Sequence, residues 1–452
     1  MEGGKRHWEE NRLRREVGRA ASDQVDARAS TGADGVPDSR HAHTTEREAF
    51  HCSVWRSAIG CARTAARRSY IWLSGQSSPH RLSFYPALPS SRLVKLEGQI
   101  NQESSWNSST RMDFDALVRF VQEHFTDGLA LVIGSGLSAA EGIPGMPALA
   151  THLSSNAGVL TGPDATLWTR IKTVLDVEGL EAALLNHPPS NTLESWIAKS
   201  TCQLLIPKER EVISAVLRGE RSLRLTTFLA RVLKPVSGLP ILTPNYDRLI
   251  EVACEMAGFH VDTTAVGHYA GAFDHIRSYM GSCRGIKVRG RTTVLDHFPR
   301  AIVLKPHGSF DWYQSGNEAR RCSLDVDAER LMITPGINKY RAGYNAPFDK
   351  HRDLANDYIK RAGRLLVVGY GFNDDHLQTH LEKRIQDGTP TLILNQAISP
   401  RVERLAEQSP RCVCLSKPDA RAGVAVVTKG GRLERQGPDL WDLGVLAEEL
   451  LT

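Results

Sequence analysis

The fold of this chain is decided by one stretch, Leu129-Ala-Leu-Val-Ile-Gly-Ser-Gly-Leu-Ser-Ala-Ala-Glu-Gly-Ile-Pro144. Its first five residues are apolar and too few for a useful helix, so they predict a strand buried on both faces. Gly134, Ser135 and Gly136 follow, where small residues let the backbone turn sharply and approach a ligand closely. The small residues from Ser138 to Ala140 then suit the start of a helix, whose free N–H groups can bind a diphosphate. Together these features predict a dinucleotide-binding unit.

The glycine spacing in this stretch differs from the fingerprint of the oxidoreductases. Gly134, Gly136 and Gly142 are spaced G-x-G-x5-G, whereas that fingerprint reads G-x-G-x-x-G. Taken alone, the stretch is equally compatible with an ordinary connection from a strand to a helix. The rest of the chain must therefore decide between the two interpretations.

The composition is that of a globular protein with one to three domains, since 41% of its 452 residues are hydrophobic and 24% are charged. A net charge of +5 is small for this length and does not by itself indicate nucleic-acid binding. No apolar run approaches the ~18 residues of a membrane span, and no secretory segment is present. The 8 cysteines include no C-x-x-C pair, which favours free thiols in the cytoplasm over disulfides or a zinc site.

Residues 1–111 differ in composition from the rest of the chain. They are rich in Arg, Ser, Ala, Gly and His and show no sustained helical or strand period, so we expect them to be disordered or weakly structured. Met112 directly precedes a strong helical pattern over residues 113–125. A start of the natural protein at Met112 is an alternative that the sequence leaves open.

The remaining chain, 112–450, alternates apolar strands with helical patterns. Strands are predicted at 129–133, 239–243, 301–304, 364–368 and 391–394, and the last is expected to close the core sheet. This alternation predicts an α/β fold, a Rossmann-like parallel sheet with helices on both faces. The section 148–235 has helical spacing and is longer than a crossover requires, so it predicts an inserted α-helical module.

Each predicted strand ends in glycine or polar residues that suit a ligand site. Singly they have ordinary explanations; Asn245 and Asp247, for example, fit a helix cap and a turn. Parallel strands, however, bring their carboxyl ends to one edge of the sheet, where ligands bind in such folds. The candidate site residues on this argument are Gly134, Ser135, Gly136, Ser138, Asn245, Asp247, His307, Gly369, Tyr370 and Asn395.

These segments resemble the motifs of the sirtuin family. The segment from Gly134 to Pro144 is similar to the sirtuin glycine motif, and it adds Gly142, Ile143 and Pro144 to the candidates. Thr243-Pro-Asn-Tyr-Asp247 resembles the family's Thr-Gln-Asn-Ile-Asp motif, and Pro306-His307-Gly308 resembles its catalytic His-Gly. The segments 242–249, 305–312 and 369–377 are closer still to a bacterial sirtuin-like branch, which includes anti-phage defence effectors that hydrolyse NAD.

The resemblance implies NAD as the substrate and a role for each candidate. The turn from Gly134 to Ser138 would hold the diphosphate, and Gly369, Tyr370 and Asn395 the adenosine side. Asp247 would bind the nicotinamide carboxamide, Asn245 would orient the ribose hydroxyls or the attacking water, and His307 would be the general base. The implied function is an NAD+ glycohydrolase that releases nicotinamide and ADP-ribose, acting as a regulated defence effector.

The sequence also departs from the sirtuin deacylases. Gly145-Met146-Pro147 stands where deacylases carry Asp-Phe-Arg, and Cys322 alone lies where they carry two C-x-x-C pairs, so neither a zinc ribbon nor a metal is expected. A protein deacylase or ADP-ribosyltransferase and a non-catalytic NAD or ADP-ribose sensor remain as alternatives. A homo-oligomer, and a partner protein within a defence system, are expected partners. The sequence does not reveal the activating trigger.

Overall fold

The computed structural model describes residues 113–232, 234–235, 237–290, 292–336, 346–372, 375–419 and 422–451. The expectations for residues 1–111 and for a start at Met112 lie outside this range. Among the described residues, no helix is both long enough and apolar enough to cross a bilayer.

The described strands, in chain order, are β1 (Leu129–Ile133), β2 (Leu239–Leu242), β3 (His260–Asp262), β4 (Ala265–Val266), β5 (Ala270–Phe273), β6 (Cys283–Arg289), β7 (Thr292–His297), β8 (Arg300–Leu304), β9 (Gly308–Ser315), β10 (Glu318–Cys322), β11 (Arg330–Met332), β12 (Arg364–Val368), β13 (Thr391–Asn395), β14 (Cys412–Ser416), β15 (Gly423–Thr428) and β16 (Gly431–Gln436).

The described helices are α1 (Phe114–His124), α2 (Ser135–Ala140), α3 (Met146–Asn156), α4 (Gly162–Glu178), α5 (Leu180–Asn186), α6 (Asn191–Leu217), α7 (Arg224–Leu229), α8 (Leu249–Met256), α9 (His275–Gly281), α10 (Phe348–Arg361), α11 (Asp375–Gln386), α12 (Pro400–Gln408) and α13 (Leu443–Leu450).

The central sheet has the strand order β16-β15-β14-β13-β12-β1-β2-β8-β3. β1 lies in the interior of the sheet and pairs in parallel with β12 and β2, and all five of its residues are buried. Alternate residues of β1 face two different cores, one with α1, α7, α8 and α13 and the other with α10, α11 and α12. The predicted α/β class, with helices on both faces of a mainly parallel sheet, is therefore confirmed.

The prediction that residues 391–394 close the sheet is wrong. β14 pairs in parallel with β13, and β15 and β16 extend the sheet further as an antiparallel hairpin. The edge strand β16 alternates half-buried and exposed residues and has one aliphatic side chain, Leu433. Such a strand carries little of the apolar signal by which buried strands are recognised in sequence.

The helices between β1 and β2 have a small core of their own. It joins α3, α4, α5 and the first half of α6, and its largest member, Trp168, packs edge-on against Trp196 at 5.5 Å between ring centroids. Helix α6 is 27 residues long, and its second half packs instead against the core of the main sheet. A second, five-stranded sheet has the order β11-β9-β10-β5-β4.

Candidate functional site

The glycine turn after β1 packs backbone against backbone on the turn after β12. Gly134 N donates to Val368 O, and Gly136 N donates to Gly369 O, both at 2.9 Å. A Cβ atom on Gly134 would lie 2.5 Å from the Cα of Tyr370, and one on Gly136 would lie 2.7 Å from the Cα of Gly369. Glycine is required here because a side chain would push the two turns apart. This contact fixes the start of α2 against the carboxyl end of β12.

Ser138, Asn245 and Asp247 form one buried hydrogen-bonded group. Ser138 lies on α2, whereas Asn245 and Asp247 lie in the loop after β2. The Asn245 Nδ2 amide donates to Gly134 O and to Ser138 Oγ, both at 2.9 Å, and Ser138 Oγ donates to Asp247 Oδ2 at 2.7 Å. The group therefore joins the glycine turn to the loop after β2.

His307 lies in the turn between β8 and β9 and is buried. Its backbone carbonyl accepts a hydrogen bond from Ile333 N at 3.0 Å, which ties the turn to the segment after β11. The next residue, Gly308, has φ of +87°, and a Cβ there would collide with the backbone oxygen of Leu331. Glycine after the histidine is thus a requirement of the turn itself.

A cavity of about 260 Å³ opens where these turns meet at the carboxyl ends of the strands. Eight of the predicted residues line it: Ser135, Ser138, Ile143, Pro144, Asn245, Asp247, His307 and Tyr370. The structure thus brings together side chains from four separate segments of the chain, which follow β1, β2, β8 and β12. A largely apolar cavity with a few convergent polar groups is the usual form of a small-molecule site.

The other five predicted residues do not line this cavity. Gly134, Gly136 and Gly369 lie in the packed contact between the two turns, and Gly142 faces open space with φ of +101°. Asn395 lies at the end of β13, and its Nδ2 donates to Tyr370 O at 3.0 Å. Its buried Oδ1 has no hydrogen-bond partner among the described residues.

Burial dominates the electrostatics of Asp247. It raises the pKa of this carboxyl above its usual range, because the charged form loses its hydration. The ammonium of Lys305 and the hydroxyl of Ser138 oppose that rise by stabilising the carboxylate. Both carboxylate oxygens of Asp247 accept hydrogen bonds, Oδ1 from Leu249 N and Oδ2 from Ser138 Oγ. Asp247 therefore acts as a hydrogen-bond acceptor in this site.

Eleven further residues that sequence patterns did not identify as site residues also line the cavity. Helices α3, α5 and α6 contribute Met146, Leu149, Glu181, Thr201 and Leu205, while the loops and β9 contribute Gly145, Pro244, Tyr246, Phe310, Pro335 and Gly371. Helical spacing marks residues such as Leu149 and Leu205 as buried, but it does not separate a core position from a cavity wall. Among these eleven described residues Glu181 has the only acidic side chain, and no local motif distinguishes it.

The described residues contain no group of three or more His, Cys, Asp and Glu side chains placed to hold a metal ion. Cys322, the cysteine nearest to the position of a zinc ribbon, ends β10. Cys412 and Cys414 are buried neighbours on one face of β14.

Comparison with known proteins gives one sequence match and several structural ones. Residues 240–410 match a family model described as a SIR2-like domain. A mutant Sir2 homologue in complex with ADP ribose aligns with a TM-score of 0.35 and 16% identity, over 75% of this chain and 95% of that one. Sir2 in complex with a peptide and NAD+ aligns with a TM-score of 0.31 and 14% identity, over 64% and 89%. No curated protein sequence matches the chain.

The matched range begins at β2, so it excludes the segment from Gly134 to Pro144. It includes six of the predicted site residues, namely Asn245, Asp247, His307, Gly369, Tyr370 and Asn395. Residues 240–410 are therefore similar to a SIR2-like domain, and this range includes the loops after β2, β8 and β12 and the end of β13 that carry the six residues.

Proposed function

We propose that this protein is an NAD+ glycohydrolase, which cleaves the bond between nicotinamide and ribose to give nicotinamide and ADP-ribose. The observation that carries the proposal is the convergence of Asn245, Asp247 and His307 on one cavity beside the glycine turn. Cleavage passes through a ribose that resembles an oxocarbenium ion, so rigid acceptors around the ribose are what the reaction needs.

Asn245 presents a hydrogen-bond acceptor to the substrate. Both hydrogens of its amide are used by Gly134 O and Ser138 Oγ, so its Oδ1 is the atom that remains for a ligand. An acceptor at this place orients a ribose hydroxyl or the water that attacks the ribose. The role is the one that the sirtuin resemblance implies.

Asp247 binds the nicotinamide carboxamide through its carboxylate. A carboxylate only accepts, and the carboxamide offers an NH2 group, so the two are complementary. The Ser138 hydroxyl holds one carboxylate oxygen in place and reduces the freedom of the side chain. The negative charge of the Asp247 carboxylate also stabilises the positive charge that develops on the ribose in the transition state.

His307 serves as the general base, and the apolar wall limits the access of water. A neutral imidazole takes the proton from the attacking water or from a ribose hydroxyl. Leu149, Leu205 and Phe310 contribute apolar side chains to the lining of the cavity. A dry wall strengthens each hydrogen bond made inside the site.

The test is NAD turnover by the purified chain, with chromatographic separation of the products. We expect nicotinamide and ADP-ribose from the native protein, and a fall in kcat of about 10²- to 10⁴-fold in Asn245→Ala and His307→Ala. NAD binding, measured by calorimetry, should persist in both variants. His260→Ala is the matched control, because His260 is exposed on β3 and does not line the cavity.

Other products or no products would favour the alternatives. Transfer of ADP-ribose to protein, or loss of an acyl group from a peptide, would favour a transferase or a deacylase. NAD binding without turnover, persisting with candidate activators, would favour a sensor. Wild-type rates in His307→Ala would contradict the assigned base.

An enzyme that depletes NAD harms its own cell, so the proposal includes regulation and a role in antiviral defence. The helical section 148–235 suits contacts with a second copy or with a partner protein, because its first part, from α3 to the first half of α6, has a core of its own and the section also lines the cavity. A trigger that moved α3, α5 or α6 would change the cavity wall directly.

A further inference from the structure

Lys305 is a buried cation at the end of β8, directly before the turn that carries His307. Its side chain is 2% exposed. Burial of an ammonium group is costly unless each donor and the charge are matched. The three N–H groups have three acceptors, namely Glu251 Oε1 at 2.8 Å, Ser309 Oγ at 3.3 Å and the backbone oxygen of Asp247.

These contacts connect the two loops that supply the polar side of the cavity. Lys305 donates directly to the backbone of Asp247, and Ser309 donates to Tyr246 O at 3.1 Å. Phe310 N donates to the same Tyr246 carbonyl at 3.0 Å. The loop with Asn245 and Asp247 is therefore held against the turn with His307 by one side chain and its neighbours.

Lys305 is also the cation shared by two buried carboxylates. Around Lys305, four acids from different elements lie near three cations: Glu209 on α6, Asp247 in the loop after β2, Glu251 on α8 and Asp311 on β9, with Arg248, Lys305 and Arg321. Arg248 pairs with Glu209 at 2.5 Å, and Arg321 pairs with Asp311 at 2.7 Å. Lys305 is therefore the cation that remains to balance the charges of Asp247 and Glu251.

We propose that Lys305 is a positioning residue for the bond-cleaving site. Through its bond to the Asp247 backbone it sets the loop of Asn245 and Asp247 against the turn of His307, and its positive charge lies close enough to stabilise the Asp247 carboxylate. The inference rests on the proposed NAD hydrolysis and extends it to a residue outside the cavity lining. Burial raises the pKa of both Asp247 and Glu251, and the Lys305 ammonium opposes both rises.

The competing explanation is that Lys305 only neutralises Glu251. Two variants separate the explanations. Lys305→Met removes the charge and leaves Glu251 buried without its cation, whereas Lys305→Met with Glu251→Gln removes both charges of the ion pair. A third, Arg300→Met, is the matched control, since Arg300 lies on the same strand in a buried ion pair with Asp262 at 3.4 Å, far from the loop of Asp247.

The experiment measures thermal stability, NAD affinity, the pH profile of kcat, and titration of the Asp247 carboxyl by ¹³C NMR, assigned with Asp247→Asn. We expect the double variant to regain most of the stability lost in Lys305→Met. Its kcat should stay about a hundredfold below wild type, because the loop of Asp247 has lost its anchor. The Asp247 carboxyl should titrate at higher pH than in wild type. Arg300→Met should lower the thermal stability but leave both kcat and the titration of the Asp247 carboxyl as in wild type.

A double variant with wild-type kcat and an unshifted Asp247 titration would overturn the inference. The proposed NAD hydrolysis is tested independently of Lys305, because it is refuted if the native protein releases no nicotinamide from NAD. In that case the NMR titration, which needs no turnover, still decides whether Lys305 governs the Asp247 carboxyl.

Discussion

Gly134→Ala should disrupt the site through a single methyl group. The new Cβ would lie 2.5 Å from the Cα of Tyr370, whereas two carbon atoms in contact need about 3.5 Å. The turn after β1 must therefore separate from the turn after β12 by about 1 Å. Gly134 has φ of −99°, so the backbone conformation itself suits alanine and the whole effect comes from the contact.

The cost follows from this displacement. Overpacking against a rigid backbone costs about 3 kcal/mol, and a 1 Å misplacement of catalytic groups lowers the rate by about a hundredfold. The displacement reaches the active groups because Gly134 O accepts from Asn245. Denaturant unfolding and NAD turnover measure the two effects. Gly158→Ala is the control, since nothing lies within 4 Å of its Cβ position. Equal stability and equal turnover in the two variants would refute the reasoning.

Two further predictions concern buried titratable groups. Burial lowers the pKa of His124 to about 4 and of His351 to about 3, so below pH 6.5 the unfolded chain binds more protons than the folded one. The contribution of each histidine to the free energy of unfolding is fully present above pH 6.5, and below it this free energy should fall by about 1.4 kcal/mol per pH unit for each histidine. Denaturant unfolding between pH 7.5 and pH 5 should show a weaker pH dependence of the unfolding free energy in His124→Gln than in wild type. An equal pH dependence would contradict the assignment. Glu141 is buried and accepts from Arg221 and from Arg224 N at 2.8 Å, which clamps the end of α2. Glu141→Gln should cost about 2 kcal/mol and raise KM for NAD more than it lowers kcat, whereas Glu220→Gln, in an exposed pair with Arg218, should change neither.

The sequence by itself determined the parts of this protein that depend on local pattern. The five apolar residues of β1 identify a strand buried on both faces, and the spacing of Leu117 and Val121 identifies the buried face of α1. Glycine and polar residues after β1, β2, β8, β12 and β13 indicated one edge of the sheet, because parallel strands bring their carboxyl ends together. Eight of the residues predicted on these grounds, and on the resemblance, line one cavity.

Only the tertiary structure decided how these pieces meet. Strand order depends on pairing between distant segments, so local pattern could not show that β15 and β16 extend the sheet beyond β14, and the polar edge strand β16 had little strand signal of its own. The requirement for Gly134 and Gly136 is set by the backbone of Gly369 and Tyr370, more than 200 residues away. Lys305 begins the segment 305–312 that resembles the sirtuin-like branch, but the sequence did not mark it as a site residue. Its importance arises from Asp247 and Glu251, which folding places around it in a medium where an unmatched charge is costly.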